Sequence, residues 1–299
     1  MTARRLFVFG LGYTGLSFAQ AMQAQGWRVA GTVRDGKKAA ALAPSGISVL
    51  AFDGGAPLGD TALLRAASHV LVTIPPTPGD KGPDIVLSHH LPDLMAAPSL
   101  AWLGYLSSTG VYGDAGGAWV DESAPLHGAR VPERRAADLA WQAAHAEHGL
   151  PVHIFRLPGI YGPGRSALER AARGEAKIID VPGHVFSRVH VDDIAGALEA
   201  SIARPRPGAI YNVADDAPAA AAKVNAHACR LLGLAPPLAQ SLEEADLSPL
   251  ARGFYGECRR VSNARLKAEL GWRPLYPSYR EGLAACLAAM TAAKEGKGP

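Results

Sequence analysis

The sequence predicts an α/β protein, a doubly wound parallel sheet followed by a small C-terminal cap. Three observations carry this. Short apolar runs alternate with longer amphipathic stretches through the first half of the chain, which is the pattern of βαβ units. The runs are continuously apolar rather than alternating, as strands covered on both faces must be. A glycine-rich turn, Gly10-Leu11-Gly12-Tyr13-Thr14-Gly15, joins the first run to the first amphipathic stretch.

The elements follow in order. Leu6–Phe9, Arg28–Val33, Ile47–Phe52, His69–Ile74 and Trp102–Leu106 read as strands, each bounded by turn residues. Helices are expected near Leu16–Gln25, Lys37–Leu42, Thr61–Ala67 and Ile85–Ala96. A helix near Glu133–His148, the strand Val152–Leu157, the loop Pro158–Arg165 and a helix near Ala167–Arg173 continue the pattern. Beyond this, Pro and Gly separate short strand candidates at Ile178–Val181, Val185–Val191 and Ile210–Val213. Helices are expected near Asp193–Ala203, Ala219–Leu232, Asn263–Leu270 and Tyr279–Lys294, and the polar Lys294–Pro299 tail is expected to fray. Residues 1–165 thus read as a nucleotide-binding domain. Residues 166–299 read mainly as a smaller cap, with segments returning to the main sheet.

Composition excludes several classes. At 299 residues with 48% hydrophobic and 19% charged side chains, the chain can bury a core and is not wholly disordered. Thirty Lys and Arg against 27 Asp and Glu leave a net charge of +3, too little to suggest a nucleic-acid partner. Cys229, Cys258 and Cys286 are odd in number and far apart, which fits a reducing compartment. No apolar run approaches a membrane span, and MTARRLFVFG is too short in its apolar part for a signal peptide. A soluble, cytoplasmic protein is the expectation.

The turn at residues 10–15 is GxGxxG in a strand–turn–helix context, the fingerprint of a Rossmann-type site. Gly10 allows the tight turn, Gly12 lets backbone approach a pyrophosphate, and Gly15 lets helix and strand pack. Tyr13 and Thr14 open the helix, whose free N–H groups and partial positive charge favour phosphate. The second strand ends Val33-Arg34-Asp35-Gly36-Lys37-Lys38. An Arg there accommodates a 2′-phosphate, so NADP is expected. Asp35 keeps NAD as the alternative, since an acid at this place takes a ribose hydroxyl. Asp53 is a candidate for an adenine amino group or an ordinary turn aspartate. Thr73, Ile74 and Pro75 end the fourth strand at the sheet edge where such ligands lie.

Leu106-Ser107-Ser108-Thr109-Gly110-Val111-Tyr112-Gly113 resembles the SS-x-x-VYG segment of extended short-chain dehydrogenases/reductases, the NAD-dependent epimerase/dehydratase family. Arg156–Gly164 is similar to that family's R-x-x-N-x-YGPG loop, Val189–Ala195 to its IHVDDVA segment, and Leu270–Pro274 to its LGW-x-P element. The matches occur in the family's order from residue 6 to about 285. The resemblance implies a Rossmann domain with a small substrate-binding cap, and often a homodimer.

The resemblance also implies a catalytic Ser or Thr with a YxxxK pair on the helix after the fifth strand. Ser108 matches the Ser/Thr. Asp138 best matches the Glu of Y-x-x-x-K-x-x-x-E, which places Arg134 at the Lys and Arg130 at the Tyr; no tyrosine lies between Gly113 and Ile160. The chain is therefore closest to the family's atypical branch. An Arg is a poor general base, so Arg134 is a candidate cofactor contact. Tyr112 is a candidate for the pocket or for packing within its turn, and so is Tyr161. His190 is either an acid/base or a buried structural histidine. Thr109, Tyr161, Arg165 and Arg188 are candidates for the unknown small-molecule substrate. Gly159 stands where many members carry a substrate-binding Asn, and where the resemblance implies a substrate-phosphate Arg a few residues before IHVDD, Phe186 and Ser187 precede Arg188, which is adjacent to Val189; both departures weaken a sugar-nucleotide assignment. No metal is expected, because His89-His90 diverge on a helix and no HxxxH occurs. The remaining function alternative is a catalytically silent module that senses NADP(H) or binds a partner.

Overall fold

A computed structural model describes residues 4–76, 82–128, 130 and 132–295. Residues 296–299 of the tail expected to fray lie outside the described residues. The chain runs β1 (Arg5–Phe9), α1 (Tyr13–Ala24), β2 (Arg28–Val33), α2 (Gly36–Leu42), β3 (Ser48–Ala51), α3 (Ala62–Arg65), β4 (His69–Val72), α4 (Ile85–Met95), β5 (Trp102–Ser108), β6 (Trp119–Val120), α5 (Pro132–His148) and β7 (Val152–Leu157). It continues β8 (Gly159–Tyr161), α6 (Ala167–Ala172), β9 (Ile178–Ile179), β10 (Arg188–His190), α7 (Val191–Ala203), β11 (Ile210–Asn212), α8 (Ala221–Leu231), β12 (Ala239–Gln240), α9 (Pro249–Gly253), β13 (Arg260–Val261), α10 (Ala264–Leu270) and α11 (Tyr279–Glu295).

Two compact units emerge, and each is assembled from separated segments. The first comprises residues 1–111, 128–156 and 195–211; the second comprises 112–127, 157–194 and 212–299. The first unit carries the seven-stranded parallel sheet, in the order β11-β7-β5-β4-β1-β2-β3. Its registers pair Leu6 with Val29 and with His69, and Val70 with Leu103. The order reverses at β1, so the β1–α1 turn stands at the switch point where ligands of such sheets bind. Segment 195–211 returns β11 to the sheet edge.

The strands form where the apolar runs are. Phe7, Phe9, Val70, Val72, Leu103 and Tyr105 are fully buried and pack with Trp141 of α5 and Leu94 of α4 in one core. Asp35 caps α2 by accepting from Lys38 N–H at 2.8 Å, and Asp84 caps α4 through Val86 and Leu87 N–H. In the second unit α6, α8 and α11 enclose Leu168, Ala171, Val224, Ala228, Leu283 and Cys286. Three two-stranded parallel pairs, β8–β10, β9–β12 and β6–β13, brace its loops. Gly159–Tyr161, expected as loop, is thus a short strand, held because Arg188–His190 supplies a distant partner.

Candidate functional site

The β1–α1 turn is built by three glycines with different jobs. Gly10 adopts φ 95°, and a Cβ there would lie 2.7 Å from Thr73 Oγ1 and 2.9 Å from Ile74 Cγ1. A Cβ on Gly15 would lie 2.2 Å from the Gly10 carbonyl oxygen, so this glycine brings the helix against the turn. A Cβ on Gly12 would meet nothing within 4 Å. The turn is fixed from beneath: Gly10 N–H donates to Thr32 Oγ1 at 2.9 Å, Leu11 N–H donates to Thr32 O at 2.8 Å, and Thr73 Oγ1 donates to Gly10 O at 2.6 Å. Gly12 is the N-cap of α1, without a side-chain cap and without an acid in the first turn. Tyr13 is half-buried and Thr14 buried in that turn. A rigid, uncapped helix N-terminus beside open space at Gly12 suits an anionic phosphate.

Arg34 is exposed immediately after β2. Asp35, the competitor for a ribose hydroxyl, has one carboxylate oxygen engaged in capping α2. Asp53 is exposed and makes an Asx turn, accepting from Gly55 N–H at 2.7 Å. Thr73 faces the glycine turn rather than the sheet edge, Ile74 covers Gly10, and Pro75 is exposed. An uncapped α1 N-terminus with exposed residues around it is compatible with a nicotinamide dinucleotide. Arg34→Ala should weaken NADPH by about 10- to 100-fold, the worth of a charged hydrogen-bond pair, with NADH changed less than twofold. Calorimetric titration with both dinucleotides checks this, and equal losses would remove Arg34 from the 2′-phosphate.

The end of β5 is anchored by a buried charge network. Arg156 on β7 donates from Nε and Nη2 to Asp138 on α5 at 3.1 and 2.9 Å, with both side chains essentially inaccessible. Ser107 Oγ donates to the same carboxylate at 2.5 Å, and Gln142 Nε2 donates at 2.8 Å. The carboxylate is thus saturated, and β5, α5 and β7 are tied at one point. Sequence reasoning matched Asp138 and Arg156 to separate motifs and missed their pairing. The signal was a lone arginine in the otherwise apolar VHIFRL strand, which requires a buried partner.

Ser108 is half-buried, and its Oγ accepts from Gly110 N–H at 3.1 Å, which leaves its own proton to donate outward. Thr109 is buried. Arg134 is half-buried on α5, one turn before Asp138. Its charge reaches Tyr105, a buried phenol that desolvation first, then Asp84 and Asp138, push well above the ordinary range.

The second unit places the remaining candidates. Tyr112 is buried and donates its hydroxyl to Asn212 Oδ1 at 2.8 Å, so the phenol acts as a packing tie. Tyr161 is buried, with its ring edge-on to His190 at 5.2 Å and its hydroxyl directed at Ser278 O at 3.4 Å. Burial raises its pKa strongly, with the charges of Asp215, Cys286 and Asp193 adding. A phenol so held is a poor acid/base. His190 is buried, accepts from Asp192 N–H at Nδ1 and meets Cys286 Sγ at Nε2; burial lowers its pKa. It reads as the structural histidine. Arg165 is exposed, and Arg188 is half-buried with Nη1 donating to Phe186 O and Ala219 O, both at 2.8 Å. Among the described residues, no group of three or more His, Cys, Asp or Glu could hold a metal, and no helix is long and apolar enough to cross a membrane.

No protein-family model matches the chain. It is 30% identical over 290 residues to Protein YeeZ of Escherichia coli K12, covering 92% of this chain and 97% of that one. A solved structure from Silicibacter pomeroyi, described as a functionally unknown conserved protein, is 45% identical with a TM-score of 0.86, covering 96% of this chain and 99% of the other. The dTDP-glucose 4,6-dehydratase of Bacillus anthracis, solved in complex with NAD, is 18% identical with a TM-score of 0.76 over 98% of each chain, a likeness of fold.

Proposed function

The chain belongs to the family of Protein YeeZ of Escherichia coli and has the fold of NAD-dependent epimerases and dehydratases, and on that premise we propose that it is an NADP-dependent oxidoreductase or epimerase-type enzyme for a small polar metabolite or sugar derivative, working without the tyrosine usual in extended short-chain dehydrogenases/reductases. The observation that carries this is the cofactor end: an uncapped α1 N-terminus, open space at Gly12, and Arg34 exposed where Asp35 is engaged with its own helix. The NAD seen with the Bacillus anthracis dehydratase supports the same class of cofactor.

When bound, the nicotinamide carries the hydride. The chain's own residues bind and orient. Gly10, Gly12 and Gly15 with the α1 N-terminus hold the pyrophosphate, and Arg34 holds the 2′-phosphate. Ser108, its oxygen already accepting from Gly110 N–H, would donate a hydrogen bond to the substrate oxygen borne by the carbon that gains or loses hydride. Arg134 would contribute the positive charge of its guanidinium. The Asp138–Arg156–Ser107 network holds the β5 end, and hence Ser108, in place.

Ser108→Ala should lower kcat by about 100-fold, the worth of one preorganised donor, while NADPH affinity stays within twofold. Steady-state kinetics across a carbonyl and sugar-nucleotide panel, with NADPH titration alongside, checks this. An unchanged kcat would take Ser108 out of the reaction.

The absence of any tyrosine between Gly113 and Ile160 favours one second reading, a module that binds NADP(H) without turning it over. Substrate-dependent oxidation of NADPH that disappears in Ser108→Ala excludes it. Tight NADPH binding with no turnover across the panel supports it.

A further inference from the structure

We propose that the second unit carries a ligand site for a planar ring bearing a single carboxylate, with Arg188 as the carboxylate receptor and Phe186 and Tyr255 as the ring's walls. The inference rests on the reading above only in naming its substrate class; the site lies wholly within the second unit.

Arg188 is the central observation. Its Nη1 is anchored by two carbonyls, Phe186 O and Ala219 O, at 2.8 Å each. Among the described residues no hydrogen bond engages Nε or Nη2. The side chain keeps intermediate exposure although its surroundings are deep, and desolvation lowers its pKa. A guanidinium clamped at Nη1, with no hydrogen bond at Nε or Nη2 among the described residues, keeps a planar pair of donors that matches two carboxylate oxygens.

The surroundings choose what the carboxylate is attached to. Phe186 lies beside the guanidinium, with the Arg188 Cζ 5.8 Å from its ring centroid. Tyr255 stands nearly perpendicular to Phe186, at 87° and 5.4 Å between centroids, and His184 closes the cluster at 4.5 Å from Phe186. Phe186 and Tyr255 are both half-buried, so each retains an accessible surface. The two rings meet edge to face, and the corner they make offers one planar group a face of one ring and an edge of the other.

A second polar point is Asp215. Its N–H donates to Arg188 O at 2.7 Å, which fixes it beside the arginine, and its side chain is 2% exposed. Oδ1 accepts from Ala217 N–H at 3.2 Å, whereas Oδ2 is buried without a partner among the described residues. Burial pushes its carboxyl up to about 7, so near neutrality it either donates to or accepts from a ligand hydroxyl. The same carboxylate, with Asp216 and Asp193 acting on it, disfavours a second negative charge next to Arg188. Arg170, the other cation acting on Tyr255, is exposed. One receptive guanidinium beside an acid suits a monocarboxylate better than a diphosphate.

The test is binding by the full chain without dinucleotide, followed by calorimetry or ligand-observed NMR. The probes are 4-hydroxybenzoate, 4-hydroxybenzyl alcohol, which lacks the carboxylate, and dTDP, which carries the diphosphate. Binding of 4-hydroxybenzoate at least tenfold tighter than either other probe is expected. Arg188→Lys, which keeps the charge and removes the fork, should weaken it at least tenfold. Phe186→Leu, which leaves the carbonyl anchors of Arg188 intact, should weaken it several-fold with the unfolding midpoint little changed. NADPH affinity should be untouched in both variants. Tighter binding of dTDP, absence of 4-hydroxybenzoate binding at millimolar concentration, or binding indifferent to both substitutions overturns the proposal. Because no dinucleotide is present, such a failure leaves the cofactor reading standing, and loss of NADPH binding would leave this one standing.

Discussion

Replacing Gly12 with valine should leave the protein folded and abolish dinucleotide binding, whereas the same change at Gly15 should destroy the fold. The two glycines lie three residues apart, and the difference comes from what surrounds them. Gly12 is exposed, with φ −78° and ψ −158°, an extended conformation open to any residue, and a Cβ there has nothing within 4 Å. In the proposed cofactor site, that side-chain space is the space the pyrophosphate would take. Gly15 would place a Cβ 2.2 Å from a backbone oxygen that Thr73 holds in position, so neither partner can move. Gly12 is the N-cap of α1, where Val is a poorer cap by about 1 kcal/mol, so Gly12→Val should stay folded with a midpoint lowered by only a few degrees. Its affinity for NADPH and NADH should fall by about 100-fold or more, a loss of about 2.8 kcal/mol. Thermal unfolding with and without dinucleotide separates the outcomes. Retained binding in Gly12→Val would make the glycine turn purely structural.

The second large effect is expected at Asp138. Asp138→Ala leaves the Arg156 guanidinium, 2% exposed, without its counter-charge and leaves Ser107 and Gln142 without an acceptor. Breaking a buried pair by removing one partner costs about 3–5 kcal/mol, a large fraction of the stability of an ordinary domain. Replacing both partners with apolar residues, Asp138→Leu with Arg156→Met, should recover much of that loss, because no buried charge is then left uncompensated. Urea denaturation of the wild type, the single variant and the double variant measures all three. A loss under 1 kcal/mol in Asp138→Ala would mean that water reaches Arg156 and that the network does not hold β5.

Legibility in the sequence followed locality. Arg28–Val33 and Val152–Leu157 form over their expected spans residue for residue, because each is a short, Val- or Ile-bearing run closed by turn residues. The glycine turn and α1 were legible for the same reason. Trp119–Val120 and Arg260–Val261 were not: each has two residues and exists only through a partner about 140 positions away. In the candidate site, motif and spacing single out Gly12, Arg34 and Ser108, and the substitutions proposed above test their roles. The roles of Thr73 and Tyr112 were not legible, since a hydroxyl's direction depends on tertiary neighbours: Thr73 turns to Gly10 O and Tyr112 to Asn212. The Asp138–Arg156 pair, 18 residues apart on a helix and a strand, left only the trace of a charge in an apolar run.

The central claim is that the first unit binds a nicotinamide dinucleotide at the glycine turn and prefers the 2′-phosphorylated form. The most direct measurement is thermal unfolding of the purified chain with NADPH, with NADH and with neither. A ligand at about 100 times its dissociation constant stabilises the native state by about 2.7 kcal/mol, which should raise the midpoint by about 5 °C or more for a chain of this size. The account predicts that rise with NADPH and a smaller one with NADH at equal concentration. An unchanged midpoint with both at millimolar concentration would contradict it.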